Sequence, residues 1–296
     1  MRSVVDGGLR TPEELPSEEV FRAMRRAEGS GPLTPVEGFA LSVTEANGVP
    51  LLVVTPEDHV PESTVVYFHG GGYLWMTPQT HLPVLVAISR ATGAQCVGVH
   101  YRRGPEHPFP AALDDAVMAY RWLLEQGRAA KSIAFAGDSA GGGLLLATLV
   151  ALRDEGVELP AAAVSFSPWT DLTVSGPSAE SADDPVVSGD ALRMMAKAYL
   201  GGSDPTSALA SPLYADLAGL PPLQIQVGSR ECLLSDARRF VDRARQHGVD
   251  VTYVEHPDVI HMWIVFAPTI PESEAAFSLL ASFMATHVRP HGGGLG

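Results

Sequence analysis

Short apolar runs alternate with segments in which apolar residues recur at helical spacing along most of this chain. A run of four to eight apolar residues is typical of a buried strand, and a period near 3.6 is typical of an amphipathic helix. The predicted strands cover residues 36–44, 49–55, 64–69, 95–101, 132–136, 161–167, 222–227 and 251–256. The predicted helices cover residues 20–28, 81–91, 111–125, 143–154, 190–199, 235–246 and 272–287. This alternation predicts an α/β fold with a mostly parallel sheet and helices on both faces.

The first two predicted strands depart from the alternation because they follow each other directly. Asn47-Gly48 lies between them, and this dipeptide is a strong signal for a two-residue hairpin turn. The sheet is therefore expected to begin with an antiparallel hairpin and to hold eight strands. In open parallel sheets, ligands bind beyond the carboxyl ends of the strands, so we expect the functional site there.

A long segment between the strands ending near Ser167 and beginning near Pro222 interrupts this order. It is rich in Pro, Ser, Asp and Gly and contains one clear helix, for which Ser188 is a candidate cap. Insertions of this length are often lids over active sites, although a solvated surface insertion is the alternative. With the N-terminal helix, which begins after Ser17, the insertion is expected to form a helical cap over the strand ends.

The predicted domain organisation follows from this interruption. Residues 1–35 form an N-terminal cap segment, and residues 171–215 form a cap insertion. The catalytic core then consists of two parts, 36–170 and 216–290. The tail at 291–296 is predicted to be flexible because four of its six residues are glycine.

Composition and charge exclude several classes of function. The chain has 296 residues, of which 46% are hydrophobic and 18% charged, as expected of one globular domain. Its net charge of -14, with no basic block, argues against nucleic acid as a partner. The N-terminus lacks the apolar core of a signal peptide, and no apolar run approaches the ~20 residues of a membrane span. We therefore expect a cytoplasmic protein in which Cys96 and Cys232 are buried free thiols.

The most informative motif is Gly137-Asp-Ser-Ala-Gly141, a G-x-S-x-G sequence placed between a predicted strand and a predicted helix. In such an elbow the serine sits on a strained bend that exposes its hydroxyl, and a β-carbon at either flanking glycine would collide with neighbouring backbone. Ser139 is thus a candidate nucleophile. The alternative is a glycine-rich turn that happens to contain a serine.

A second motif, His69-Gly-Gly-Gly72, ends the predicted strand at 64–69. Consecutive glycines free the backbone to aim several N–H groups at one point, as an oxyanion hole requires. A phosphate-binding turn is the alternative reading. That turn calls for G-x-G-x-x-G at the start of a helix, whereas Tyr73-Leu-Trp-Met76 and then Pro78 follow here.

Four motifs together resemble those of the hormone-sensitive-lipase-like family of α/β-hydrolases, of the bacterial carboxylesterase type. They are His69–Gly72, Tyr101–Asp115, Gly137–Gly142 and Ser167–Trp169, in the family's order and spacing. The resemblance runs from about residue 49 to residue 288. A departure occurs before Tyr101, where the family usually has Asp and this chain has His100.

The resemblance implies an α/β-hydrolase fold and an esterase that uses no cofactor and no metal. Ser139 would be the nucleophile, and the backbone N–H groups of Gly71, Gly72 and Ala140 would form the oxyanion hole. Dimers are common among proteins that resemble this one, which leaves a homodimer open. The histidines also do not pair with cysteines or carboxylates at the spacing of metal ligands.

The base and the acid must follow the nucleophile, because α/β-hydrolases have the chain order Ser, acid, His. His261 matches the family's catalytic histidine and follows the last predicted strand, with His256 as its rival. For the acid, Glu231 aligns best, in a loop where most members carry Asp-Pro-Leu. Asp236 is the runner-up, but a carboxylate in the first turn of a helix is also explained by capping.

Substrate scope rests on a few apolar residues near the predicted mouth of the site. Trp75, Trp169 and Met262 are candidates for the substrate pocket, although core packing explains each equally well. The resemblance implies short- to medium-chain esters as substrates. The same residues could serve a lactone hydrolase or a deacetylase. Some proteins that resemble this family, such as the plant gibberellin receptors, act instead as non-catalytic ligand sensors.

Overall fold

The computed structural model describes residue 12 and residues 14–28, 33–266 and 269–289. Within these residues eight strands form one sheet. In chain order the strands β1 to β8 are Phe39–Ala46, Val49–Pro56, Thr64–Phe68, Gln95–Val99, Ile133–Asp138, Ala162–Phe166, Leu223–Gly228 and Val251–His256. The helices α1 to α8 are Glu18–Ala27, Leu82–Thr92, Ala111–Glu125, Ser139–Asp154, Ser178–Ser181, Gly189–Leu200, Leu234–Gln246 and Pro271–His287. Short 3₁₀ turns lie at Ala130–Ser132, Pro212–Tyr214 and Trp263–Phe266.

The sheet has the strand order β1-β2-β4-β3-β5-β6-β7-β8. β2 pairs antiparallel with β1 and β4, and every later pairing is parallel. Asn47 and Gly48 both have positive φ, at 51° and 93°, as a tight primed turn between β1 and β2 requires. The structure thus confirms the predicted α/β-hydrolase architecture, a mostly parallel sheet that begins with an antiparallel hairpin.

The core lies on both faces of the sheet. Along the fully buried β3, Val66 and Phe68 face an apolar cluster shared with α3, α4 and α7. Val65 and Tyr67 face a second cluster shared with α2 and α8. Successive side chains of a strand point to opposite faces, so a strand covered on both sides is apolar throughout. Because both faces of the sheet are covered by apolar residues, polar functional side chains are left to the carboxyl ends of the central strands.

Helix α4 begins directly at Ser139, four residues before its predicted start at Gly143. From sequence alone, the glycines of this first turn suggest a loop. In the structure they are part of the helix, and a neighbouring segment packs too closely against them for a side chain to fit. A β-carbon on Gly143 would lie 2.1 Å from the Trp169 carbonyl oxygen. Close packing of the helix against the loop after β6 therefore explains a glycine where helix propensity disfavours one.

The two segments predicted to form a cap both contain helices. Ser17 accepts a hydrogen bond from Val20 N at the start of α1, and Ser188 accepts one from Ala191 N at the start of α6. The insertion also contains the short α5 and the turn at Pro212–Tyr214, neither of which periodicity predicts.

Helix α1 is fixed to the core by polar and aromatic contacts. Arg25 donates to the Gly104 carbonyl at 2.8 Å, Glu28 pairs with Arg103 at 2.8 Å, and the Phe21 ring stacks on Trp75. The domain boundaries at 35, 170 and 215 remain predictions. The predicted flexible tail lies outside the described residues, and within those residues no helix is both long and apolar enough to cross a membrane.

Candidate active site

The turn from β5 into α4 displays Ser139 at the carboxyl edge of the sheet. Ser139 has a φ of 54°, in the left-handed region that a residue with a side chain rarely adopts. A β-carbon on Gly141 would lie 2.0 Å from the Phe68 carbonyl oxygen, and one on Gly137 would lie 2.7 Å from the same atom. The expected collision at both glycines is confirmed. The strained serine is therefore held by a backbone approach that only glycine permits.

His261, in the loop after β8, links the serine to a buried carboxylate. Its Nε2 lies 2.9 Å from Ser139 Oγ, and its Nδ1 lies 2.7 Å from Glu231 Oε2. Burial alone would lower the pKa of this imidazole, but the hydrogen bond and charge of Glu231, with the charges of Asp184 and Asp138, outweigh it. The pKa of His261 is consequently raised above its usual value of 6.5.

Glu231 is fully buried, and both of its oxygens are used. Oε2 faces His261, while Oε1 accepts hydrogen bonds from Ser167 Oγ at 2.7 Å and from Gly228 N at 2.6 Å. A carboxylate that accepts several hydrogen bonds is fixed in orientation. Ser167 is thus a functional residue that sequence reasoning missed, although its position directly after β6, in the Ser-Pro-Trp motif, was a signal for it.

The structure does not bring Asp236 to His261. Its Oδ2 accepts hydrogen bonds from the backbone N–H groups of Thr170 and Asp171, both at 2.9 Å. It does not cap its own helix either, because α7 begins after Leu233 and its cap makes no side-chain hydrogen bond. Burial and the nearby Asp171 charge raise the pKa of Asp236 to about 7. The runner-up acid therefore holds the loop after β6 rather than the histidine.

His256, the rival base, contacts Trp263 and Gln226, whereas the serine is hydrogen-bonded to His261. Its ring packs on Trp263 with 4.5 Å between ring centroids, and its Nε2 lies 2.9 Å from Gln226 Oε1. Burial lowers the pKa of His256. These contacts are typical of a structural histidine.

Gly71 and Gly72 line the same cavity as Ser139 and have positive φ, at 105° and 61°. No acceptor among the described residues takes the N–H group of either glycine. Ala140 is in the first turn of α4, where N–H groups have no intrahelical acceptor. Within the described part of the chain, the three predicted donors thus have no hydrogen-bond acceptor, as an oxyanion hole requires.

Side chains beneath the glycine loop hold it in place. Asp138 Oδ1 accepts from Gly70 N at 2.9 Å and from Tyr67 OH at 2.6 Å. The Tyr101 hydroxyl donates to the His69 carbonyl at 2.6 Å, and the two rings stack. This agrees with a structural role for Asp138 and explains why the Tyr101 motif accompanies the glycine motif.

A cavity of about 420 Å³ opens over Ser139. Its wall is mostly apolar and draws residues from α1, the glycine loop, the insertion and the loop after β8. The lining residues are Pro12, Pro16, Met24, Glu28, Gly71, Gly72, Trp75, Met76, Thr80, Ser139, Val187, Leu192, Met195, His261 and Met262.

Of the predicted pocket residues, Trp75 and Met262 line this cavity and Trp169 does not. Trp169 is buried in the core beside Tyr73, with ring centroids 6.0 Å apart, and its indole N–H donates to the Asp171 carbonyl. The backbone of Trp169 is held against the first turn of α4, because its N–H donates to the Ser139 carbonyl at 3.0 Å and its carbonyl approaches Gly143. The assignment of Trp169 to the pocket is therefore corrected.

The described residues include neither a cluster of potential metal ligands nor a disulfide. Among the described residues, no group of three or more His, Cys, Asp or Glu side chains is arranged to hold a metal ion. Cys96 and Cys232 are both free and buried.

Comparison with known proteins places this chain in a family. A family model for the α/β-hydrolase fold matches residues 65–265. The chain is 48% identical over 225 residues to an acetyl-hydrolase of Streptomyces hygroscopicus, covering 75% of each protein. It is 34% identical to the carboxylesterase NlhH of Mycobacterium tuberculosis, covering 90% of this chain and 83% of that protein.

The fold agrees with these relatives. The crystal structure of an esterase from the bacterial hormone-sensitive lipase family superposes with a TM-score of 0.87 at 41% identity, covering 97% of this chain and 98% of that one. The chain belongs to the hormone-sensitive-lipase-like family of α/β-hydrolases.

Proposed function

We propose that the protein is a serine carboxylesterase that hydrolyses short- to medium-chain esters through an acyl-enzyme. The observation that carries the proposal is the continuous hydrogen-bonded chain from Ser139 through His261 to Glu231, at the floor of an apolar cavity. A nucleophile, a base and an orienting acid in hydrogen-bond contact are the arrangement that nucleophilic catalysis needs.

The reaction follows from the positions of these groups. Ser139 Oγ attacks the ester carbonyl while His261 Nε2 accepts its proton, and the carbonyl oxygen becomes an oxyanion facing Gly71, Gly72 and Ala140. Glu231 keeps the Nδ1 proton of His261 in place and stabilises the imidazolium. That imidazolium then protonates the departing alcohol. Water, activated by the same histidine, hydrolyses the acyl-serine and releases the acid.

The size of the cavity and the similarity to a named relative narrow the class of substrate. A cavity of about 420 Å³ suits a small molecule with an apolar acyl or alcohol group. The 48% identical relative is named an acetyl-hydrolase, which supports acetyl esters as the short end of the range and keeps deacetylation within the proposal. A lactone would pass through the same tetrahedral intermediate at the same residues.

The proposal also covers the cellular location and the oligomeric state of the protein. A cytoplasmic location is supported by the two free, buried cysteines, which fit a reducing compartment. A homodimer is proposed on the likeness to the family, and size-exclusion chromatography with light scattering tests it.

A covalent label tests the function directly. A fluorophosphonate should add one adduct to the wild-type protein, at Ser139, and none to Ser139→Ala. A panel of p-nitrophenyl esters of rising chain length, run beside medium-ring lactones, should show rates that fall beyond medium chains. Absence of an adduct in folded protein would support the ligand-sensor alternative instead. A preference for long-chain triglyceride emulsions would contradict the proposed substrate range.

A further inference from the structure

The loop that carries Glu231 is attached to the insertion by several hydrogen bonds around one residue, Cys232. Its thiol donates to the Val187 carbonyl at 2.9 Å, and its own carbonyl accepts from Ser178 Oγ at 2.5 Å. Val187 in turn lines the cavity over Ser139. The orienting acid and the cavity wall are therefore parts of one hydrogen-bonded unit.

Asp184 lies at the centre of this unit. Its Oδ1 accepts from Val186 N at 3.0 Å, and its Oδ2 accepts from Cys232 N at 3.1 Å. One carboxylate thus joins the residue before Val187 to the residue after Glu231. Because each oxygen has its own backbone donor, the side chain is held in one orientation.

Asp184 forms no ion pair with a cation among the residues that the structure describes, whereas the adjacent Asp183 pairs with Arg230 at 2.7 Å on the surface. Burial raises the pKa of Asp184, and the charges of His261 and Glu231 act on it in opposite directions. In return, the negative charge of Asp184 acts on His261 and helps to raise the pKa of that imidazole. The other charged groups that act on His261 are Glu231, which is hydrogen-bonded to it, and Asp138.

We infer that Asp184 is a positioning residue of the hydrolysis: its carboxylate fixes the Glu231 loop against the cavity wall and stabilises the positive charge that His261 acquires. This inference rests on the proposed function. Ionic stabilisation of the histidine matters most when Ser139 has given up its proton, so the effect appears in the chemical step rather than in substrate binding. No sequence motif of the site includes Asp184. Its segment is rich in acidic and small residues, so the sequence does not distinguish it from its neighbours.

Three variants separate the effect of the Asp184 charge from the effect of its hydrogen bonds to the backbone. Asp184→Asn removes the charge and leaves one acceptor, Asp184→Glu keeps the charge, and Asp183→Asn is the matched control because that side chain is 94% exposed. Each protein is assayed with p-nitrophenyl acetate from pH 5 to 9, and its folding is checked by circular dichroism and thermal unfolding.

For Asp184→Asn we expect kcat to fall about three- to tenfold, while KM changes less than about twofold. The apparent pKa on the acid limb should fall by about half a unit, because a favourable charge has been removed from beside the imidazolium. Asp184→Glu should restore the pKa, and Asp183→Asn should match the wild type.

A folded Asp184→Asn protein whose acid-limb pKa equals that of the wild type would overturn the inference. If this variant does not fold, Asp184→Ser replaces it, since a serine hydroxyl can still accept from Val186 N and the same downward shift is required. An inactive wild-type enzyme would refute the proposed function itself, whereas an active wild type with an unshifted variant would refute only the role of Asp184.

Discussion

Replacing Glu231 with glutamine tests whether this residue is the acid of the triad, because the substitution changes which nitrogen of His261 carries the proton. Three donors converge on the Glu231 carboxylate: Ser167 Oγ and Gly228 N on Oε1, and His261 Nδ1 on Oε2. Glutamine has the same shape but presents an oxygen on one side and an NH₂ on the other. The Gly228 N–H cannot rotate away, so the amide oxygen is expected on that side and the NH₂ faces His261.

His261 must then accept a hydrogen bond at Nδ1 and carry its proton on Nε2, which lies 2.9 Å from Ser139 Oγ. A protonated Nε2 cannot take the serine proton. The wrong tautomer in a serine hydrolase triad costs about 10⁴-fold in kcat, which corresponds to about 5 kcal/mol of transition-state stabilisation. The glycine loop and the cavity stay intact, so KM should change little and some activity above the water reaction should remain.

The assay compares kcat of Glu231→Gln and Asp236→Asn on p-nitrophenyl acetate, with the rate of fluorophosphonate labelling as a second readout. Asp236→Asn should stay within about twofold of the wild type, because its amide oxygen can still accept from Thr170 and Asp171. The reasoning fails if Glu231→Gln keeps more than about a tenth of the activity, or if Asp236→Asn is the variant that loses it.

Three further predictions follow from pKa values and packing. First, kcat/KM should rise with pH as His261 loses its proton, with a midpoint above about 6.5 because the pKa is raised; a rate that is flat between pH 5 and 8 would contradict a histidine base. Second, Gly141→Ala, with its β-carbon 2.0 Å from the Phe68 carbonyl, should lower the free energy of unfolding by at least about 3 kcal/mol in urea titrations. Gly156→Ala, with positive φ but open space, should cost only about 1 kcal/mol, and equal losses would refute the steric argument. Third, the pKa of Asp236 is about 7 in the folded protein against 3.8 ordinarily, so its contribution to stability is present below pH 4 and is lost as pH rises to 7. The free energy of unfolding of Asp236→Asn should therefore increase relative to that of the wild type across that window, by on the order of 2–4 kcal/mol at pH 8. A difference in urea midpoint that does not change with pH would contradict this.

Periodicity was enough to predict the eight strands and the seven longer helices of the described residues, because their apolar residues form short runs or recur at helical spacing, and turn residues such as Asn47-Gly48 separate them. It could not supply the strand order. The position of β3 between β4 and β5 depends on pairings between residues far apart in the chain, such as Thr64 with Ile133. The family resemblance carried the expectation of the α/β-hydrolase topology, and the structure confirms it.

At the site, chain order and motif context singled out three residues that the structure brings into contact, Ser139, Glu231 and His261. Sequence reasoning failed for two residues of the loop after β6. Trp169 packs in the core beside Tyr73, and the Ser167 hydroxyl donates to Glu231. Both contact partners are far from this loop in the chain, so local sequence does not reveal which way the two side chains point.

The methionines in the cavity wall make the site vulnerable to oxidants. Met24, Met76, Met195 and Met262 all line the cavity over Ser139. Peroxide converts a thioether into a sulfoxide, which places a strongly polar group in a wall that is otherwise mostly apolar. In peroxide, turnover should therefore decay well before the fold melts, and a methionine sulfoxide reductase should return it.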